Sequence, residues 1–400
     1  MPALRSYAVS SATAATLTID GSGSSSYGGA TLSAGNTTSA QITGAISLTK
    51  SGSGTFTLGG TLTGGATAQG NTFTGDTKIN AGILVLGESI SIRNSAFDTS
   101  SIAGDASNGL RVGTGVTALT LGGLKGANNF SSRFTSTTGG YDGLTALTLN
   151  PGSGVTHTYS ADIGDGAGNM TLTKTGAGTQ ILAAAQTYTG ATTVTAGVLA
   201  VNGTLASVST TVSGTGTLKG SGSMAGPVTI ESGGTLASGN SIESLATGAL
   251  SFTTGSTFQY ELDKSVAASA AGDLTAVSGN LSLTGTVTLS LVELGTSGAW
   301  DLGSPLGDHL LGGADKLTLI SYSGTWNGGR FTYGGNEIQD DSSIIFNGQQ
   351  WWFNYNDTDA GDNFTGDLTG STFVTMTVPE PGAALLGGLG LLALLRRRRH

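Results

Sequence analysis

Eight residues occur twice in this chain in almost the same spelling. Leu48-Thr49-Lys50-Ser51-Gly52-Ser53-Gly54-Thr55 returns 124 residues later as Leu172-Thr173-Lys174-Thr175-Gly176-Ala177-Gly178-Thr179. Two more blocks follow each copy, both offset by 115 residues. Thr72-Phe73-Thr74-Gly75 matches Thr187-Tyr188-Thr189-Gly190, and Ala81-Gly82-Ile83-Leu84-Val85 matches Ala196-Gly197-Val198-Leu199-Ala200. The first copy therefore carries nine extra residues, and they fall in the Gly-rich stretch LGGTLTGGATAQG, 58–70. A stacked-repeat architecture tolerates an insertion confined to one turn, because each repeat touches only its neighbours.

Inside and outside the copies the texture is the same. ATLTID (15–20), AISLTK (45–50), GTFTLGGTLTGG (54–65) and KINAGILVLG (78–87) alternate Thr or Ser with Leu, Ile or Val. Gly or Asn punctuates them every few residues. That is strand and turn, repeated. Helical spacing is nearly absent, with 264–272 (KSVAASAAG) a modest exception. A single rung of this kind cannot bury both faces. Stacking pairs its backbone and lays Thr over Thr and Leu over Leu. The expected fold is all-β, a right-handed parallel β-helix (solenoid) over 15–250. Gly is 68 of 400 residues and charged residues only 10%, which suits thin stacked layers of small side chains.

The stretch LTKTGAGTQILAAAQTYTGATTVTAGVLAV (172–201) resembles the autotransporter-associated β-strand repeat: L-T-K-x-G-x-G-T, then Y-T-G-x-T, then A-G-x-L. The two copies span about 42–87 and 161–203, and 211–245 resembles the further rungs that follow such repeats. The resemblance implies a β-helical surface passenger and carries no chemistry. Residues 1–14 read as a leader remnant or a disordered start, with SATAA (11–15) similar to a small-residue cleavage site.

From 251 the strands lengthen, as in STFQYELD (256–263) and QQWWFNYND (349–357), and all four Trp lie beyond this point. Residues 251–377 are expected to form a C-terminal β-rich capping domain over the last rung's unpaired edge. The alternative for Trp326, Trp351 and Trp352 is an aromatic platform for sugar rings.

The chain then changes character. Val378-Pro379-Glu380-Pro381 is followed by fourteen apolar or small residues, Gly382–Leu395, and by Arg396-Arg397-Arg398-Arg399. As a helix the apolar run spans about 21 Å, short of the ~30 Å hydrocarbon core, which is brief for a permanent transmembrane anchor. The Arg cluster would stay cytoplasmic. The prolines disfavour helix and sheet and present an extended segment. Motif, apolar stretch and basic end in this order resemble the PEP-CTERM sorting signal, assigned to 378–400. The resemblance implies export from a Gram-negative, exopolysaccharide-making cell. It also implies transient inner-membrane anchoring and recognition by an exosortase, a membrane cysteine transpeptidase.

Candidates for chemistry are few. Asp162 and Asp165 in ADIGDGAG read as turn residues, and Asp340-Asp341 as a hairpin loop. Asp357, Asp359 and Asp362 are oxygen-rich enough for Ca²⁺, but not at EF-hand spacing. His157 and His309 lack partner patterns, and the chain has no Cys. Net charge is −9, and −13 without the four terminal Arg, which argues against a nucleic-acid partner. The reading is an exported, non-enzymatic structural or adhesive protein with no catalytic residue, at the cell surface, outer membrane or extracellular matrix. Its alternatives are an exopolysaccharide-binding module and a carbohydrate-active β-helix.

Overall fold

The computed structural model describes residues 9–27, 41–59, 71–239, 241–263, 272–294, 315–361, 363 and 371–378. Apart from two 3₁₀ turns at Ser131–Arg133 and Tyr141–Gly143, the regular structure among these residues is all strand. The chain divides into two compact units. Met1–Leu218 with Ser223–Gly226 form the first, and Lys219–Gly222 with Pro227–His400 the second.

In the first unit successive strands pair in parallel. One ladder runs Val9–Ile19, Ile42–Lys50, Thr77–Ile79, Ile92–Asp98, Ala118–Lys125, Ala146–Leu149, Thr171–Lys174 and Thr192–Val201. A second runs Ser25–Tyr27, Thr55–Leu58, Ile83–Leu86 and Gly109–Val112. A third joins Thr156–Tyr159, Thr179–Leu182 and the second half of Thr192–Val201. The register lays like over like: Leu119, Leu147 and Leu172 face one another, as do Thr120, Thr148 and Thr173. The leucines are buried. Because side chains alternate along a strand, the Leu row faces in and the Thr row faces out. Each buried Leu contributes roughly 1.5–3 kcal/mol.

Residues 126–145 leave this pattern between two rungs. Phe130, Phe134 and Tyr141 gather edge-to-face, with centroids 5.0–5.6 Å apart, and Phe130 meets Phe97 at 5.8 Å. The Tyr159 hydroxyl accepts from the Phe130 N–H at 2.9 Å and donates to Asp162 O at 2.7 Å, tying the excursion to the next rung.

The second unit begins in the same way. Val228–Ile230, Leu250–Phe252 and Leu281–Leu283 pair in parallel. So do Thr235–Ser238, Thr257–Asp263, Val287–Leu294 and Phe331–Tyr333, and Ser244–Thr247, Leu274–Val277 and Asp315–Tyr322. The change of texture at 251 is therefore not a change of pairing. Longer alternating strands make wider parallel rungs, and the expected boundary falls inside the second unit. Pairing changes at the end of the ladders. Asp315–Tyr322 pairs antiparallel with Thr372–Val378, which pairs with Gln349–Asp357, which pairs with Ser342–Phe346. Phe331–Tyr333 likewise turns into an antiparallel pair with Asn336–Glu337. These antiparallel strands follow the parallel ladders of the second unit.

Candidate functional site

The repeat signature is built around a buried lysine. In Leu172-Thr173-Lys174 the parity that turns Leu172 inward also turns Lys174 inward, and Lys174 is fully buried. It sits in register between Leu149 and Val194. Its ammonium bends to the adjacent turns and donates to the carbonyls of Thr175 (2.5 Å), Gly176 (2.9 Å) and Ala196 (3.0 Å). Lys50 occupies the same place between Ile19 and Ile79 and donates to the Gly52 and Ala81 carbonyls. Burial pushes Lys174 down to about 8 and lowers Lys50. The glycine of the following A-G-x-L block is required by geometry. Gly82 and Gly197 have φ of +69° and +61°, and a Cβ on Gly197 would run into the carbonyl oxygens of Gly176 and Gly178. The motif is thus one lysine joining carbonyls of its own turn to a carbonyl of the next paired strand.

Asp162 and Asp165 bind the next rung. Asp162 accepts the Thr187 N–H and hydroxyl, both at 2.8 Å. Asp165 accepts the Thr189 N–H (3.1 Å) and hydroxyl (2.7 Å) together with the Met170 N–H (2.8 Å). Burial raises the Asp165 carboxyl, but these donors outweigh it and hold it below its ordinary value. The turn residues read from sequence each clamp a later segment of the chain, at Thr187 and Thr189.

The remaining acids are dispersed. Asp340 accepts the Tyr355 N–H at 2.9 Å, and Asp341 accepts from the Asn354 amide at 3.0 Å. Asp357 pairs with Lys316 at 2.6 Å and accepts from Thr375 Oγ1 at 2.8 Å and from the Asp359 N–H at 3.0 Å. Burial raises Asp357, yet Lys316 and these donors bring it below its usual range. Among the described residues no three metal-ligating side chains cluster, and Asp362 lies outside them. His157 is half-buried, and burial lowers its imidazole. Nearby Asp76, which raises it, is itself paired with Lys125 at 2.5 Å. His309 lies outside the described residues.

The three-tryptophan platform is not assembled. Trp351 and Trp352 are consecutive in one strand, so they face opposite sides: Trp351 is fully buried and Trp352 is 45% exposed. Trp326 stacks on Tyr355 at 5.1 Å with planes 5° apart and donates its indole N–H to Gly329 O. Of these three Trp352 is the most exposed, Trp326 is half-buried and Trp351 is buried.

A hollow of about 1170 Å³ in the first unit was not legible in the sequence. Its floor is the outward row Thr57–Val85–Arg111, and the 131–143 excursion walls it. Among the described residues the Arg111 guanidinium has no hydrogen-bond or ion-pair partner, and its Nε is shut off from solvent.

Of the sorting segment, Val378 is buried at the end of Thr372–Val378. Pro379, Glu380, Pro381 and Arg396–Arg399 lie outside the described residues, as does the expected helix Gly382–Leu395. Among the described residues no helix is long and apolar enough to cross a membrane.

Comparison with protein families accounts for both ends of this picture. Residues 48–86, 172–201 and 213–237 match the Passenger-associated-transport-repeat, and 377–399 match the PEP-CTERM protein-sorting motif. The chain carries autotransporter-type repeats and one PEP-CTERM sorting motif. The sorting motif is a substrate signal for exosortase, and with the repeats it supports export to the cell surface or extracellular space. No curated protein matches the chain.

Proposed function

We propose that this chain is an exported, non-enzymatic surface or matrix protein. Its parallel ladders wind as right-handed β-helix rungs, and its C-terminal segment is anchored transiently in the inner membrane and cut by exosortase. One observation carries this reading: the sorting motif begins directly at the end of a buried strand, Thr372–Val378. A folded body and a removable address therefore meet with no linker between them. The rungs supply an extended, repetitive surface suited to structural or adhesive contact. The engagement of Asp162, Asp165, Asp340 and Asp357 with neighbouring groups supports a role without catalysis.

The test places the chain behind a working signal peptide in a host with an exosortase. Intact mass of the surface form should show loss of the segment after the PEP motif. Replacing Pro379, Glu380 and Pro381 should leave an uncut, membrane-held chain. A surface form that still ends at His400 would sink the processing claim. Release of reducing ends from polysaccharide by the purified protein would sink the non-enzymatic one.

A second reading rests on the Arg111 hollow. An unpaired guanidinium in a hollow lined by Ser and Thr side chains suits a carboxylate-bearing exopolysaccharide, since the planar fork matches a carboxylate. Binding to uronate-containing oligosaccharides, lost in Arg111→Met and absent for neutral sugars, would favour it. Equal binding by Arg111→Met would remove it.

A further inference from the structure

The antiparallel end of the second unit aims one hairpin in the direction in which the chain leaves for its sorting segment. Trp352 is opposite Thr377 and Phe353 opposite Met376, so the register sets Trp351 beside Val378. Toward its turn the hairpin therefore continues past the end of the Thr372–Val378 strand. Three further residues, at ~3.4 Å each, carry its tip about 10 Å beyond Val378. The turn is Asn347-Gly348, with φ of +48° and +78°. The chain itself has only Pro379, Glu380 and Pro381 before the apolar run opens at Gly382. Fully extended, the four steps from Val378 to Gly382 reach about 14 Å at most. The tip thus lies within the greatest distance from Val378 at which the apolar run can open.

The exposed face of this hairpin is apolar where it counts. Ile345 is 70% exposed and Trp352 45%, the two most exposed large apolar side chains described in the second unit. Ile345 is opposite Gln350 and Ser343 opposite Trp352, so Ile345 and Trp352 share one face as diagonal neighbours, about 7–8 Å apart. Across Thr377 from Trp352 lies Lys316. An indole beside an apolar side chain, at the level where a chain enters a bilayer, matches the interfacial preference of Trp.

We infer that the Ile345–Trp352 face of this hairpin docks on the phospholipid surface while the tail is inserted, seating the PEP motif at the headgroup level. The inference rests on reading 382–395 as a membrane-inserted segment. The short tether provides the reason: a cap held within about 14 Å of the hydrocarbon cannot keep its tip out of a headgroup layer. Lys316 is already paired with Asp357, and Glu293 accepts from Asn347 at the tip. Among the described residues the face therefore presents no spare cation to call for anionic lipid, and a zwitterionic bilayer is the appropriate probe. Cutting at the motif removes the tether, so the same face leaves the membrane with the mature protein.

The experiment reconstitutes the full chain into phosphatidylcholine vesicles whose lipids are brominated at shallow acyl positions. Vesicle flotation and Trp emission are read together. The expected result is flotation with quenched, blue-shifted emission, and loss of the quenched component in Trp352→Phe, while Ile345→Ser floats but is less quenched. Far-UV circular dichroism confirms that both variants keep their strands. Flotation without quenching would place the cap away from the lipid and overturn the docking. Quenching that persists in Trp352→Phe would assign contact to another surface and overturn it equally. Failure to float would overturn the membrane reading of the tail, and the docking with it.

Discussion

Asp165 holds Thr189 twice, accepting the backbone N–H at 3.1 Å and the hydroxyl at 2.7 Å. Asp162 holds Thr187 in the same way two residues earlier. Removing the carboxylate leaves an N–H and a hydroxyl without their acceptor, at a cost of about 1–3 kcal/mol for each group that cannot reach water. Asp165→Ala should lower the urea midpoint of the first unit. Because the folded carboxyl lies below its ordinary value, this contribution is present above about pH 4 and is lost as pH falls through the folded pKa. The wild type should therefore lose stability on acidification more steeply than Asp165→Ala. Parallel acid titrations of the two, followed by circular dichroism, decide the point.

The buried lysine predicts the opposite kind of pH dependence. Lys174 is pushed down to about 8, while an unfolded lysine titrates near 10.4. Between those values the unfolded chain binds the additional proton, so stability rises with pH. Below about 8 both states are protonated and the cost of burying the cation is constant. Urea midpoints of the first unit should climb from pH 8 to 9.5, and Lys174→Met should flatten that climb. The window stops at 9.5 because buried tyrosines, Tyr159 and Tyr188 among them, are raised well above 10 and begin to oppose it there. An equal climb in Lys174→Met would dissociate the effect from this lysine.

Gly197 tests the repeat geometry without any charge. Its φ of +61° and the carbonyls of Gly176 and Gly178 leave no room for a Cβ. Gly197→Ala combines left-handed strain of about 1 kcal/mol with a clash against backbone that cannot rotate away. A loss of more than 2 kcal/mol is expected, against about 1 kcal/mol for Gly→Ala at Gly115, where a Cβ meets nothing. The left-handed φ of Gly115, +78°, still adds its own strain, so the difference between the two variants is the informative quantity. Denaturant melts that give equal losses would contradict the stacked-turn account.

In the second unit Asp273 is fully buried and accepts the N–H groups of Glu243 (3.2 Å) and Glu261 (3.1 Å). Burial pushes its carboxyl up to about 8, against the lowering pull of those two bonds, with the charges of Glu261 and Glu243 adding to the rise. A raised folded pKa contributes stability that is full below about 4 and is lost as pH rises to 8. Melting of the second unit should therefore fall across that range and level off above it. Asp273→Asn, which keeps an acceptor and carries no charge, should flatten the fall. A melting temperature equally pH-dependent in the variant would refute this.

The repeat was legible because its information is local and periodic. The parity that turns Leu172 inward also turns Lys174 inward, so the buried cation could be read from LTK alone. A search for acids and aromatics passes over it. The same parity shows that Trp351 and Trp352 cannot share a face, which undoes the platform. What sequence could not supply were the non-periodic parts. The 126–145 excursion has no repeat to align, so the Arg111 hollow depends on contacts between Phe130, Phe134 and Tyr141 that no spacing encodes. The switch to antiparallel pairing after Asp315–Tyr322 is equally invisible, because alternation is the same in both pairings.

The strand that ends at Val378 makes a final prediction about where the fold stops. Phe373, Val374, Met376 and Val378 are all buried, and the strand lies between Asp315–Tyr322 and Gln349–Asp357. Burial of side chains of this kind contributes roughly 1.5–3 kcal/mol each. A chain ending after Pro381 keeps all four and every ladder bond of the strand, so its melting should match that of the full chain. A chain ending after Ser371 loses the central strand and separates Gln349–Asp357 from Asp315–Tyr322. It should lose the near-ultraviolet signal of Trp351 and Tyr355 and become sensitive to protease throughout 315–361, while the ladders of the first unit keep their protection. Hydrogen exchange read by peptide resolves the two units separately. Full protection of 349–357 in the chain ending at Ser371 would show that the cap does not depend on this strand. The position of the sorting motif at its end would then carry no structural meaning.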